Sequence, residues 1–120
     1  MTEQLVSFDT AKLARQKRFN IGYESYNNIG QLNDFGMSGG YYDYSDKSFE
    51  GNTWAAPTQS LLQKWLREVH KILLWVEPLA IDKWEFGINY PNGGFGDAKE
   101  YNTYEEALEI GLQEALKLIK

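Results

Sequence analysis

His70 is the only histidine in the chain, and that limits acid–base and metal chemistry before any element is placed. A catalytic triad or an imidazole-rich metal site would have to be built around this one ring. There is no cysteine to serve as nucleophile or thiolate ligand, and no serine sits in a G-x-S-x-G setting. His70 falls at the end of a helical pattern, where an imidazole complements the helix dipole more readily than it acts as a base. Carboxylates are plentiful, including Asp43 with Asp46 and the run Glu105, Glu106 and Glu109. Glutamates on a helix surface ordinarily face water, and the aspartate pair fits no calcium loop. With His70 that pair gives one reading, a small hydrolase. The stretch NGGFGD, residues 92–97, offers backbone N–H groups to an anion, but no G-K-[ST] follows, so a turn after a strand is the plainer reading. These patterns assign no catalytic residue, no metal ligand and no cofactor.

Binding is better served. The segment YYDYSD, residues 41–46, places Tyr41, Tyr42 and Tyr44 among glycines, with Phe49 shortly after. Tyrosines give a loop large rigid contact area at low entropic cost, glycines let it bend, and aspartates keep it hydrated. Near the start, Arg15, Lys17 and Arg18 form a cationic group that reads either as a solvated face or as a phosphate site. Tyr41, Tyr42, Tyr44, Phe49, Arg15, Lys17 and Arg18 are therefore the candidate ligand- or partner-binding residues.

The elements that would position them follow from pattern. Residues 7–18 carry Ser7 and Asp9 as candidate N-caps and end in cations, which predicts a short first helix with Phe8, Ala11 and either Leu13 or Ala14 inward. Residues 19–54 lack a helical period and read as loops and short strands, with an alternation at Phe19, Ile21 and Tyr23. PTQSLLQKWLREVH, residues 57–70, is amphipathic through Leu61, Leu62, Trp65, Leu66 and Val69, with Gln63 on the polar side. ILLWV, residues 72–76, reads as a buried strand and PLAID as a turn. KWEFGINY, residues 83–90, alternates as a half-buried strand that pairs with residues 72–77, and PNGGFGDAKE reads as a loop. The final segment opens with Thr103 and Glu106 in capping-box spacing, and Tyr104, Leu108, Leu112, Ala115, Leu116 and Ile119 line one face. Gly111 costs that helix about 1 kcal/mol relative to alanine, which implies close approach by another backbone. The expected fold is α+β: a small antiparallel sheet with two main amphipathic helices on one face and a short N-terminal helix, in a single domain spanning residues 1–120.

The totals agree with such a domain. The chain has 120 residues, 42% hydrophobic and 24% charged, ordinary values for a folded globular protein. A net charge of -5 argues against coating nucleic acid over an extended surface. The opening segment lacks the order of a signal peptide, no apolar run is long enough for a bilayer, and the absence of cysteine fits a reducing compartment. A 15% aromatic content also makes a symmetric homodimer an expectation.

Three stretches, VSFDTAKLARQKRFN, APTQSLLQKWLREVHKI and YEEALEIGLQEALKLIK, taken in order, resemble a widespread family of small uncharacterised proteins encoded by bacteriophages and prophages of gut anaerobes. The resemblance implies an accessory gene product in the bacterial cytoplasm and carries over no site residue. The resulting expectation is a non-enzymatic phage accessory protein that neutralises a host antiviral defence factor through an aromatic-rich surface. The alternative is a protein that sequesters a small nucleotide-like signalling ligand, with Arg15, Lys17 and Arg18 on phosphates and Tyr42 or Tyr44 stacked on a base.

Overall fold

The computed structural model describes residues 4–22, 24–32, 42–43, 53–90, 93–96 and 99–119, with residues 42–43 and 94–96 described by their backbone alone. The fold is α+β and divides into two compact units, one formed by residues 5–58 and the other by residues 1–4 with 59–120.

In the first unit the short helix α1, Phe8–Gln16, starts at Ser7, whose side-chain oxygen accepts from the Thr10 N–H at 3.3 Å. Of the two candidate caps, Ser7 is the one used. Thr10, Ala11 and Ala14 form the buried face, small side chains that admit a close neighbour. The helix closes with paired bonds from Phe19 N–H to the Ala14 carbonyl (2.9 Å) and from Arg18 N–H to the Arg15 carbonyl (3.0 Å). Arg18 has φ 75 there, the left-handed position that glycine normally takes.

Among the described residues four two-residue strands follow: β1 Ile21–Gly22, β2 Ser25–Tyr26, β3 Tyr42–Asp43 and β4 Trp54–Ala55. β1 pairs antiparallel with β3 and β2 with β4. The alternation at 19–23 therefore ends in two minimal strands rather than one long one. Asn20 is buried, and it donates from Nδ2 to the Thr53 carbonyl at 3.2 Å while its Oδ1 accepts from Ala55 N–H at 2.6 Å. One side chain thus holds the two ends of the 21–52 stretch together.

The second unit is built on helix α2 (Gln59–Val69), strands β5 (Leu73–Ala80), β6 (Lys83–Tyr90) and β7 (Gly93–Gly96), and helix α3 (Tyr104–Lys117). The strands form an antiparallel sheet in the order β5-β6-β7. Thr103 caps α3, its Oγ1 accepting from Glu106 N–H at 3.0 Å. Leu74, Phe86 and Ile88 point to the covered face, and Leu62, Leu66, Leu108, Leu112, Ala115 and Leu116 supply the buried helix side chains. Gln59 is buried and ties α2 to α3 by donating to the Glu105 carbonyl (2.9 Å) and to Glu109 Oε1 (3.0 Å).

Several local expectations change. Residues 93–96 form a third strand where a loop is expected, and the 78–80 part of PLAID extends β5, leaving the turn at Ile81–Asp82. Val69 stays 58% exposed despite its periodic position. Gln63 is drawn from the polar side to donate to the Leu74 carbonyl at 2.7 Å.

Gly111 faces the sheet, and side chains rather than backbone crowd it. A Cβ there would lie 2.8 Å from Leu74 Cδ1 and 3.1 Å from Phe86 Cγ. Gly111→Val should therefore lose about 1–3 kcal/mol through overpacking, measured by urea unfolding. Unchanged or raised stability would show that α3 has room to move away.

Candidate functional site

The candidate binding residues from sequence fall into two groups. Tyr41, Tyr44 and Phe49 lie outside the described residues, as does Asp46; Tyr42 and Asp43 contribute β3, paired with β1 through Gly22 and Ile21. Arg15, Lys17 and Arg18 gather at the C-terminal end of α1, where cations offset the negative end of the helix dipole. The Arg15 guanidinium lies over the Trp54 ring, 4.9 Å from its centroid, and Lys12 lies over Phe8 at 4.7 Å. Phe8 in turn meets Trp54 edge-on and Tyr26 at a tilt, each with centroids 5.5 Å apart. Part of this basic group is thus a cationic cover on an aromatic cluster.

His70 follows the last turn of α2, its N–H bonded to the Leu66 carbonyl at 3.2 Å. Its ring stands edge-on to Trp65 with centroids 4.6 Å apart, and Nε2 is shut off from solvent with no hydrogen-bond partner. A base must reach its substrate proton, and this nitrogen is sealed away. Burial lowers the imidazole pKa below its ordinary value because desolvation disfavours the charged ring. In the folded state the neutral ring is favoured, so the unfolded chain takes up its proton first as pH falls below about 6.5. Stability should therefore fall as pH drops through about 6.5, and His70→Leu should remove the part of that slope due to the single histidine. An identical slope in the variant would contradict this.

No group of three or more histidine and carboxylate side chains able to hold a metal occurs among the described residues. No helix among them is long and apolar enough to cross a membrane.

A different surface emerges on the sheet, one that sequence reasoning misses. The stretch read as a buried strand buries Leu74 but turns Leu73 and Trp75 to the uncovered side, 44% and 38% exposed, with Leu79 also exposed. Alternation places Glu77 on the same side. Ile81, at the tip of the β5–β6 hairpin, is 91% exposed. The register explains how the tryptophan lies there: Trp75 is opposite Gly87, and a Cβ built on Gly87 would fall inside the indole. Gly87 is opposite Gly96, and Asn89 opposite Gly94, so the β7 positions opposite Gly87 and Asn89 carry no side chain of their own. Signals were present in the sequence: Pro78 just past the run marks an edge strand, and Glu77 directly after Val76 is out of place in a strand buried on both faces.

The outer margin of β5 is shielded. Trp84 turns its N–H and carbonyl to Tyr101, both bonds at 2.9 Å, so its partner Pro78 turns its own backbone outward. Pro78 has no N–H to give, and the Leu74 carbonyl, in the same alternate set, is occupied by Gln63. Strand addition at this edge is thereby hindered, while the face beside it stays open. Comparison with protein-family models, with curated proteins and with solved structures finds no match for the chain.

Proposed function

We propose that the chain is a non-enzymatic binding protein that engages a protein partner through the uncovered face of its three-stranded sheet. The carrying observation is the row of exposed apolar side chains along β5, Leu73, Trp75 and Leu79, continued by Ile81 at the hairpin tip. Scattered exposed aliphatic side chains are ordinary, but a row with a flat-lying tryptophan has the makeup of an interface centre. In keeping with the resemblance of three sequence stretches to phage accessory proteins, the partner in this reading is a host protein and the setting a bacterial cytoplasm. Tyr41, Tyr42, Tyr44 and Phe49 belong to the same proposal as an additional contact surface.

The experiment is site-specific photo-cross-linking in lysate of the cells the protein comes from, with a benzophenone side chain at position 75 and a control at Lys64 on the exposed side of α2. A discrete protein adduct from position 75 and none from position 64 is expected. No adduct, or equal labelling from both positions, would overturn the reading. The nucleotide-sequestering alternative is favoured only by the clustering of Arg15, Lys17 and Arg18 at one helix end. It requires thermal stabilisation of about 2.7 kcal/mol by a nucleotide at 100 times its dissociation constant, and no shift across a nucleotide panel would remove it.

A further inference from the structure

We infer that Gly87 is a positioning residue of the binding face: having no side chain, it lets the Trp75 indole lie face-down across β6, so that a partner meets one fixed ring instead of a mobile one. This rests on the binding role proposed above. The register sets Trp75 directly opposite Gly87. A Cβ built at Gly87 would sit against Cζ2 of the indole, with the two carbons flanking it in the six-membered ring, Cε2 and Cη2, only 2.5 and 2.8 Å away. Both flanking carbons come that near only if the ring meets the backbone through its face; an edge-on ring would hold them farther off. One face of the indole is thus pressed on the β6 backbone, and the exposure of Trp75 belongs to the other.

Backbone conformation does not require glycine at this position. Gly30 and Gly93 have positive φ, and Gly87 does not. In extended backbone a glycine weakens a strand, because it packs nothing and loses more freedom on folding than any other residue. What explains Gly87 is the room it leaves, and Trp75 fills that room. The next position across the sheet, Gly96 on β7, adds no side chain either. Among Trp75, Gly87 and Gly96, which lie side by side on three strands, the indole is the only side chain.

A seated indole matters for binding because ordering costs affinity. A tryptophan standing free on a sheet surface has two side-chain torsions to fix when a partner arrives, and immobilising one such side chain weakens binding by roughly two- to tenfold. Gly87 moves that ordering from the binding step to the folding step. Tryptophan is also enriched at the energetic centres of interfaces whereas leucine is not, so the placement of Trp75 counts for more than that of Leu73.

The test uses the full chain and two readouts, proton resonances and cross-linking. In the parent, the Gly87 α-proton that takes the Cβ direction should resonate well upfield of an ordinary glycine, because it lies under the face of an aromatic ring. Trp75→Leu should return it to the ordinary range. An ordinary Gly87 resonance in the parent would overturn the inference at once. Gly87→Ala suits an extended backbone and should fold, with the indole displaced and its N–H resonance moved; an indole N–H that keeps its position overturns the inference too. In lysate, the protein adduct from a benzophenone side chain at position 73 should drop roughly two- to tenfold in Gly87→Ala. In a Trp75→Leu background the same change should cause no further loss, because Gly87 acts only through the indole. A parent-level yield in Gly87→Ala with the ring displaced would overturn the positioning role while leaving the face as a binding surface. So would a further loss in the Trp75→Leu background, which would make the bare β6 backbone the contact. No adduct from position 73 in the parent would instead overturn the face, and the positioning role with it.

Discussion

Phe86→Ala should unfold the protein at markedly lower urea, with a loss of about 3–5 kcal/mol, a large part of the 5–15 kcal/mol typical of a domain. Phe86 is buried at the centre of β6, its ring 6.1 Å from that of Tyr101. Its removal leaves a cavity facing Gly111, whose missing side chain cannot help fill it. Collapse would require α3 to shift, yet Thr103 and the Gln59 bonds to Glu105 and Glu109 fix the start of that helix. The cost should therefore lie toward the upper part of the range. A loss under about 1 kcal/mol would mean that the helix settles freely onto the sheet, against the tight packing found at position 111.

Asn20→Ala should lose about 2–4 kcal/mol, because the deletion strands two buried backbone groups rather than one contact. The Thr53 carbonyl loses its donor and the Ala55 N–H its acceptor, both in a site where Asn20 is 2% exposed. Asn20→Asp keeps an acceptor but removes the donor and buries a charge, so it should be no better. Urea unfolding of the two variants provides the check; an alanine variant within about 0.5 kcal/mol of the parent would show that water replaces the side chain. Asn20 also closes the stretch that carries Tyr41, Tyr42, Tyr44 and Phe49. Cross-linking from position 75 in the folded alanine variant then reports on the sheet face separately from that stretch.

The helices were legible in the sequence because each has a local signal: Ser7 and Thr103 at the N-caps, and apolar residues at helical spacing in α2 and α3. β6 was legible through strict alternation, since Phe86 and Ile88 turn inward and Asn89 outward. β5 was misread because five consecutive apolar residues do not reveal which face other elements will cover. α2 and α3 cover only the side of Leu74, so Leu73 and Trp75 are left outside by tertiary arrangement rather than by local preference. β7 was hidden by composition: glycine disfavours strands, yet pairing with Gly87, Ile88, Asn89 and Tyr90 holds Gly93–Gly96 extended. The open face belongs to the same class of non-local fact. Its residues were visible one by one, while their meeting on one surface depends on the β5–β6 register.

Photo-cross-linking with the benzophenone side chain placed in turn at positions 73, 75, 17 and 42 bears most directly on where this protein binds. A discrete protein adduct is expected from positions 73 and 75 on the sheet face, and none from position 17 at the end of α1. Adducts from positions 17 or 42 with the sheet face silent would contradict the assignment of that face as the binding surface.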